Sequence, residues 1–355
     1  MNSVKYIGLD VHSSTISAAV LNGEGKLVMQ TVLATHAGAI LDFLKGLRGT
    51  LHLTLEEGTQ SAWLYDLLVG RVARVVVSNP RHNALMKSGN KSDPIDARKL
   101  AELLRAGSLS PVYHGEQSTA TVKQLGSSYA ALTEDTTRVM SRLKALYRSQ
   151  AIPTAGKKPY GRGHRQDWLA RLQGAGLVRR AQRLYQELDA LQALRREARR
   201  DLIVECRQHP AAPRLRTIPF LGPIRTALLL GRVQTPYRFR SKRQFWAYCG
   251  LALETRSSAD YRFVDGQLER TKRPARIRGL NWNHNHDLKN LFKSAATTAS
   301  ARPGVFHTFY QDRLAQGMLP AMARLTLARK IAAITLSVWK KGETFDAQQL
   351  KPQAV

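Results

Sequence analysis

Two acidic residues stand three positions apart in the stretch GNKSDPIDARKLAELL, residues 89–104. Pro94 suits the first turn of a helix, and Asp93 directly before it is a suitable N-cap. Residues three apart on a helix share a face, so Asp93 and Asp96 can point into the same space. The pair is therefore either a capped helix start whose second acid favours the helix dipole, or half of a carboxylate site.

Further acidic residues lie at the ends of two predicted strands upstream. Asp10 ends the strand VKYIGLD, and the alternating segment LHLTLEEG carries Glu56 and Glu57 near its end. Converging carboxylates of this kind hold two divalent ions about 3.5–4 Å apart and clamp the attacking and leaving oxygens of a phosphoryl transfer. Mg²⁺ suits them because it prefers carboxylate and phosphate oxygens. Any one of these acids alone is equally a solvated strand end or a cap. The predicted ligands of two Mg²⁺ ions are Asp10, Glu56, Asp93 and Asp96.

The elements that must position these acids follow from the pattern of apolar residues. Residues 4–34 read as strands around the glycine turn GEG, which predicts a hairpin. Helical and strand-like segments then alternate, giving the order β-β-(β)-α-β-α-β-α up to the helix that contains Asp96. This order predicts a mixed sheet with helices packed against it.

The chain is strongly basic: its 355 residues include 55 Lys and Arg against 26 Asp and Glu, a net charge of +29. Nucleic-acid phosphate is the usual partner of such a surface, and a membrane surface is the weaker alternative. No apolar run approaches the ~18–20 residues that span a bilayer, and residues 1–10 predict a strand rather than a signal peptide. Cys206 and Cys249 form neither a disulfide framework nor a zinc site. We therefore expect a cytoplasmic protein without structural zinc.

Three motifs around the acids are similar to those of a known family. YIGLDVH, LTLEEGT and GNKSDPIDARKLAELL resemble the RuvC-like DEDD domain of bacterial insertion-sequence transposases (insertion-sequence family one hundred and ten), understood as bridge-RNA-guided recombinases. The resemblance implies an α/β RNase H/RuvC-like N-terminal domain, with the family's first acid at Asp10 and its last two at Asp93 and Asp96. Glu56 is assigned the glutamate's role because it continues the alternation of its strand, and Glu57 is the alternative.

A second block carries a candidate nucleophile. The segment SKRQFWAYCGLALETRSSADYRF, residues 241–263, resembles a part of the same family in which a short polar segment carries a serine. Counting from Gly250 puts that serine at Ser258, with the adjacent Ser257 as the alternative. The resemblance implies that this serine attacks DNA phosphate and becomes covalently joined to it. Most members have glycine after the serine, where this chain has Ala259.

The sequence that follows departs from the family pattern and reads TKRPARIRGLNWNHNHDLKN. Its histidines, together with His307, could suggest a metal site, but no Cys or clustered acid completes one. We therefore interpret His284 and His286 as surface residues or as contacts with RNA or DNA. Upstream, LRTIPFLGPIRTALLLG resembles a helix–hairpin–helix element, with a plain helical turn as the alternative.

The middle of the chain predicts two long helices, residues 124–150 and 168–206, separated by the Pro- and Gly-rich loop 151–164. A leucine series in the second helix keeps a 4-3-3 spacing that is compatible with a coiled-coil seam. The series is Leu184, Leu188, Leu191 and Leu194. It forms either the inside of a hairpin within one chain or a pairing surface between subunits. The resemblance implies a coiled coil used in assembly, and we favour that interpretation.

These observations predict an enzyme in three regions: a RuvC-like DEDD domain at 1–115, a helical coiled-coil region at 116–206, and a mainly α-helical, serine-bearing transposase domain at 207–355. The expected function is that of a DNA transposase or recombinase of a mobile element, which cuts and rejoins DNA strands. The resemblance implies target and donor DNA, a structured non-coding bridge RNA as guide, and a homo-oligomer, expected to be a tetramer. One alternative is a RuvC/RNase H-like metal-dependent nuclease, such as a junction resolvase, that uses water and no serine. The other is a non-catalytic nucleic-acid-binding protein.

Overall fold

The computed structural model describes residues 3–81, 83, 92–114, 119–256, 261–264, 267–270 and 276–350. The chain forms two compact units, Met1–Gly115 and Glu116–Val355. The predicted middle and C-terminal regions both fall within the second unit. In the part of the chain that the structure describes, no helix has the length and apolar character needed to cross a membrane.

The first unit is built on a five-stranded mixed sheet in the order β3-β2-β1-β4-β5. Its strands are β1 (Val4–Val11), β2 (Thr15–Leu21), β3 (Leu27–Ala34), β4 (Thr50–Glu56) and β5 (Arg74–Ser78). Its helices are α1 (Ala37–Lys45), α2 (Ser61–Leu68) and α3 (Asp93–Arg105). Strands β1, β2 and β3 pair antiparallel, whereas β4 and β5 run parallel to β1. The predicted element order and the RNase H-like sheet with helices are confirmed.

The central strand β1 lies between β2 and β4, and this position explains its apolar run. Ile7 and Leu9 are almost fully buried, as are Leu53 and Leu55 on the neighbouring β4. Burying these side chains removes apolar surface from water and supplies most of the stabilisation of such a core. By contrast, the side chains of the edge strand β3 are largely exposed.

Helix α3 and its N-cap begin one residue earlier than the sequence predicted. Ser92 is the N-cap, with an extended backbone, and Asp93 is the first helical residue. The prediction that Asp93 caps the helix is therefore wrong. Ser92 is itself a favourable cap residue, and an acid in the first turn is stabilised by the positive end of the helix dipole. The consequence is that Asp93 and Asp96 both lie in the first turn of the helix.

The second unit is mostly helical, as predicted. Its helices are α4 (Ala120–Arg148), α5 (Arg165–Leu169), α6 (Ala175–Gln208), α7 (Ala212–Leu215), α8 (Pro223–Val233), α9 (Lys242–Tyr248), α10 (His286–Ala301), α11 (Val305–Ala315) and α12 (Pro320–Lys341). Four short strands form two two-stranded ladders: β6 (Leu253–Arg256) with β9 (Arg276–Leu280), and β7 (Tyr261–Val264) with β8 (Gln267–Arg270). The segment that resembled a helix–hairpin–helix element begins at the last residue of α7 and continues through a turn into α8.

The two long helices α4 and α6 form an antiparallel hairpin within the chain. Near the connecting loop the hydroxyl oxygens of Tyr147 and Tyr185 lie 3.0 Å apart, and Gly126 near the other end of α4 lies beside Leu202. Leu188 is fully buried in the apolar cluster that the hairpin encloses, whereas Leu194 is 50% exposed.

The first two leucines of the series therefore face the inside of the hairpin. Leu184 and Leu188 share that cluster with Val139, Leu143 and Leu146 of α4. The favoured interpretation of these leucines as a seam between subunits is wrong for Leu184 and Leu188. The physical reason is that a 4-3-3 spacing specifies one apolar face without specifying which helix covers it, and here the covering helix belongs to the same chain.

We expect Leu188→Asp to destabilise the second unit by about 4 kcal/mol or more, because it removes a buried apolar side chain and buries an unpaired carboxylate. For a unit of this size the unfolding temperature should fall by roughly 8–16 °C, measured by circular dichroism. Leu194→Asp on the same helix is the matched control and should change stability by less than about 0.5 kcal/mol, since its site is exposed. Equal unfolding temperatures for the two variants would contradict the hairpin assignment.

Candidate active site

Two acidic residues lie near the ends of neighbouring strands, at the same edge of the sheet. Strand β1 runs parallel to β4, and Leu9 lies opposite Leu55 in the register. The next residue on each strand is acidic, Asp10 on β1 and Glu56 on β4. Since parallel strands end at a common edge, these two carboxylates emerge side by side, half-buried between the sheet and solvent.

A close contact with β1 places the remaining two acids. A Cβ atom on Gly8 would lie 2.0 Å from the carbonyl oxygen of Ala97 and 2.6 Å from the amide nitrogen of Ala101. The backbone of α3 therefore rests directly on the strand, which only glycine at this position permits. Ala97 and Ala101 are fully buried at the contact. This packing brings the first turn of α3, with Asp93 and Asp96, to the end of β1.

A histidine joins the acids where the strand meets the helix. His12 Nε2 lies 3.2 Å from Asp10 Oδ2 and 3.4 Å from Asp93 Oδ2. One ligand atom from each of these three residues lies within 4.8 Å of those of the other two, which is close enough for one metal ion to be shared. His12 follows Asp10 by two positions, and residues two apart on a strand face the same side.

Burial and repulsion between the acids affect the pKa values of Asp10 and Glu56. Burial raises the pKa of the Asp10 carboxyl, His12 lowers it, and repulsion from Asp93 and Asp96 raises it further. Burial likewise raises the pKa of Glu56, the hydrogen bond from Asn83 lowers it, and repulsion from Asp10 and Asp96 raises it. Carboxylates that repel one another in a partly buried site favour a bound cation or a proton.

Asn83 holds one of the acids in place. Its Nδ2 donates a hydrogen bond of 2.7 Å to Glu56 Oε1 and lies 3.3 Å from Ser78 Oγ on the adjacent strand. Asn83 is almost fully buried, so the orientation it imposes on Glu56 is well defined. Glu57, in contrast, is exposed. The structure thus brings Glu56 to the other acids, while its role as a ligand stays a prediction.

The donor set fits a hard divalent cation. All four acids offer carboxylate oxygens, which Mg²⁺ prefers. Asp96 Oδ1 is buried and has no hydrogen-bond partner among the residues that the structure describes. A buried carboxylate oxygen without a partner is costly, and a metal ion is one group that satisfies it. This acidic site suggests a metal ion held by Asp10, Asp93 and their neighbours.

Sequence reasoning missed two residues of this cluster. His12 was detectable, because a histidine two residues beyond a candidate ligand on a strand shares its face. Asn83 had no such signal, since it lies outside the predicted strands and helices and 27 residues from Glu56 in the chain. The predicted nucleophile Ser258 and its alternative Ser257 lie outside the described residues.

The two predicted surface histidines lie in the second unit. His284 is half-buried, and its Nδ1 lies 2.7 Å from the carbonyl oxygen of Asn281. Lys289 Nζ lies 3.3 Å from the other ring nitrogen, and burial together with this cation lowers the pKa of His284. His286 is exposed at the start of α10. His284 is thus bonded within the fold, and the exposed His286 is the one available for contact with nucleic acid.

The raised pKa values of Asp10 and Glu56 predict how metal binding and pH change the stability of the first unit. The folded protein holds the Asp10 and Glu56 protons at pH values where the unfolded chain has lost them. Metal-free stability should therefore fall as pH rises from the ordinary values of 3.8 and 4.5 through the raised pKa values. Above that window Mg²⁺ at about 100 times its dissociation constant should add about 2.7 kcal/mol, or roughly 10 °C in unfolding temperature.

The measurement is thermal unfolding with Mg²⁺ or with a chelator, at about pH 8 and at about pH 4. At the lower pH, protonation of Asp10 and Glu56 should abolish the effect of the ion. The Asp10→Asn variant should lose the Mg²⁺ effect and, in chelator, be at least as stable as the unaltered protein, because one repelling charge is gone. An undiminished Mg²⁺ shift in Asp10→Asn would show that the ion binds elsewhere.

Two protein-family models match the chain. The model named DEDD_Tnp_IS110 and described as a transposase matches residues 7–149, which include all four acids. A second model, described as Transposase IS116/IS110/IS902 family, matches residues 212–311. No curated protein matches the chain.

Proposed function

Because the chain belongs to the IS110 family of transposases, and is therefore an enzyme of DNA phosphoryl transfer, we propose that it excises and inserts its own mobile element by a covalent recombinase reaction. In this proposal Asp10, Glu56, Asp93 and Asp96 hold two Mg²⁺ ions and Ser258 is the nucleophile. A structured non-coding RNA selects the target and donor DNA, and the active form is a tetramer.

The observation that carries the metal site is the convergence of four carboxylates from two strands and one helix. Their order along the chain, Asp, Glu, Asp, Asp, matches the letters DEDD in the name of the family model. Asp96 Oδ1 is buried and has no hydrogen-bond partner among the described residues, so a bound cation would satisfy it. Asn83 and His12 support the site by orienting Glu56 and by lying between Asp10 and Asp93.

The chemistry proposed for the serine conserves the energy of the broken bond. The Ser258 hydroxyl attacks the phosphorus of the scissile phosphodiester, the bond to one strand oxygen breaks, and that oxygen leaves as a hydroxyl carrying the proton. A hydroxyl end of the exchanged strand later attacks the phosphoserine ester, and the serine is released. Bound Mg²⁺ would polarise the phosphate and favour deprotonation of the attacking hydroxyl, which is a poor nucleophile by itself.

The proposal of an RNA guide rests on the family resemblance and on charge. A chain with a net charge of +29 can neutralise the phosphates of RNA and DNA together. If base pairing between RNA and DNA supplies the sequence choice, the protein need only hold backbones and exchange strands, as in other RNA-guided systems.

The test is reconstitution with the RNA transcribed from the DNA that flanks the gene. Purified protein, this RNA, Mg²⁺ and paired donor and target DNA should give recombinant product and a protein–DNA adduct that resists denaturant. An unrelated structured RNA of equal length is the control and should give neither. Recombination of equal yield with the unrelated RNA, or without any RNA, would overturn the guided mechanism.

A metal-dependent nuclease is the second candidate, and one observation favours it. The acid cluster lies wholly within the first unit, so hydrolysis by water needs no residue from the second. Such an enzyme would cut DNA in the presence of Mg²⁺ without forming an adduct. Cleavage by the unaltered protein with no trapped adduct would select the nuclease.

A further inference from the structure

The second unit contains a cavity of about 260 Å³. It is lined by residues of α9, α11 and α12 and by the segment that follows α12. Aromatic and basic side chains from these elements line it: Trp246, Phe309, Phe345, Lys242, Arg329 and Lys330. Its volume lies just below the roughly 300–1,000 Å³ of sites for drug-sized ligands, so it suits a single small planar group.

The aromatic wall is held in a fixed orientation. Trp246 is half-buried, and its Nε1 donates a hydrogen bond of 2.9 Å to the carbonyl oxygen of Arg329 on α12. This bond ties α9 to α12 and sets the plane of the indole ring. Phe309 is more deeply buried, with 9% of its surface exposed. Trp246 is therefore better placed than Phe309 to offer a stacking face to a ligand.

Cations surround these rings. Lys242 Nζ lies 5.7 Å from the centre of the Trp246 ring, and Lys330 Nζ lies 6.0 Å from that of Phe309. Among the described residues, no carboxylate lies within ion-pairing distance of either lysine. The acid in the lining, Asp346, accepts a hydrogen bond of 2.9 Å from the backbone N–H of Gln348.

Lys242 and Lys330 lie close enough to repel each other. Burial lowers the pKa of Lys330, and the nearby Lys242 and Arg313 lower it further. Keeping like charges together in a partly buried place is unfavourable unless an anion joins them. The geometry of the pocket thus favours a ligand with negative charge beside its planar group.

Arg329 adds an unsatisfied donor to the lining. Its Nε donates to the carbonyl oxygen of Leu251 at 2.6 Å, which fixes the guanidinium. Its Nη2 is buried and has no hydrogen-bond partner in the part of the chain that the structure describes. Buried donors without partners are rare, and they mark places where a ligand atom or a water completes the bonding.

We propose that this pocket binds one unpaired nucleotide of a single-stranded nucleic acid. The base stacks on Trp246, and the adjoining phosphate lies between Lys242 and Lys330, with Arg329 as a further donor. Aromatic stacking combined with a basic surface is the general mode of single-strand binding, and it tolerates any base. The site lies in the second unit and shares no residue with the acid cluster. The proposal does not depend on which reaction the acids catalyse.

Photo-crosslinking of the full-length protein tests the location of the site. Single-stranded DNA and RNA of about 12 nucleotides, each carrying 5-iodouracil, are irradiated with the protein, and the crosslinked peptides are identified by mass spectrometry. A crosslink at Trp246, or at Phe309 or Phe345, with DNA, RNA or both supports the proposal, and the arm that reacts identifies the strand. Crosslinks that all map elsewhere overturn it.

Binding measurements separate a ligand site from a structural role. The double substitution Lys242→Gln with Lys330→Gln should reduce the magnitude of the slope of log K against log salt by about 0.7, the contribution of the one single-strand phosphate that the two lysines are proposed to hold. The unfolding temperature should stay the same or rise, because the repelling pair is gone. Lys293→Gln, an exposed lysine on α10, is the matched control and should leave the pocket crosslink intact.

The stacking ring is tested by two substitutions. Trp246→Ala should weaken single-strand binding by about 5-fold or more, as expected for a lost stacked base. Trp246→Phe keeps an aromatic face and should retain most of the binding. If Trp246→Ala does not fold, the lysine double variant and the crosslink decide the matter. Binding within 2-fold of the unaltered protein for the lysine double variant, and for Trp246→Ala where it folds, would refute the site.

Discussion

Replacement of Asp96 by Asn should abolish DNA strand cleavage while leaving nucleic-acid binding largely intact. We expect a loss of about 10³-fold or more, because polarisation of the phosphate by a bound metal ion is worth several kcal/mol and each 1.36 kcal/mol is tenfold in rate. Asp10→Asn, Asp93→Asn and Glu56→Gln should behave alike, since all four carboxylates share one repelling cluster. Cleavage is measured in single turnover on labelled DNA at saturating Mg²⁺.

The neighbouring Glu57 provides a matched control for this prediction. Glu57→Gln removes the same charge one position away, on an exposed side chain, and should retain activity close to that of the unaltered protein. Binding should weaken steeply with salt in all the variants, because it depends on the basic surface rather than on the acids. The assignment of Glu56 fails if Glu57→Gln is inactive while Glu56→Gln cleaves normally.

Ser258→Ala should form no covalent protein–DNA adduct and should give no recombinant product. The expected loss is complete within the sensitivity of the assay, since without the serine ester no bond energy is stored for rejoining. The adduct is trapped on a suicide DNA substrate, whose cut end diffuses away, and is detected after denaturation. Ser257→Ala, the adjacent residue, is the control and should form the adduct at a normal level.

The family resemblance implies that serine and acids in one reaction come from different subunits. Reacting groups must meet within about 3–3.5 Å of one another, so a site of this kind is complete only in the assembled complex. Mixing Ser258→Ala with Asp10→Asn protein should then restore part of the activity that each variant lacks. Restoration would support a shared site, whereas an adduct in Ser258→Ala that is absent in Ser257→Ala would move the nucleophile to Ser257.

Much of the first unit was predictable because its local patterns are unambiguous. Strand-like segments on both sides of the glycine turn at 23–25 predict β2 and β3, and the apolar run before Asp10 predicts a buried β1. The start of α3 was misplaced by one residue because Ser92 and Asp93 are both good caps, and the local sequence favours neither strongly. The pairing of β1 with β2 follows from their short connection, whereas the parallel pairing of β1 with β4 was not predicted.

The partners of the long helices were not predictable in the same way. The leucines of α6 specify an apolar face, and any complementary helix of this chain or of another satisfies that face. In the folded chain α4 covers Leu188, because two helices of one chain come together at a smaller entropic loss than two separate chains. The exposed Leu194 remains available for contact with another molecule.

The sequence by itself determined the family, the basic surface, the element order of the first unit and the four candidate acids, since these depend on residue type and short-range spacing. Only the tertiary structure decided which of these groups meet. The contact of Gly8 with the backbone of α3 brings Asp96 to Asp10, and a buried Asn83 reaches Glu56 across 27 residues. Such contacts join positions far apart in the chain, and they depend on how closely whole elements pack, a property that no local pattern encodes.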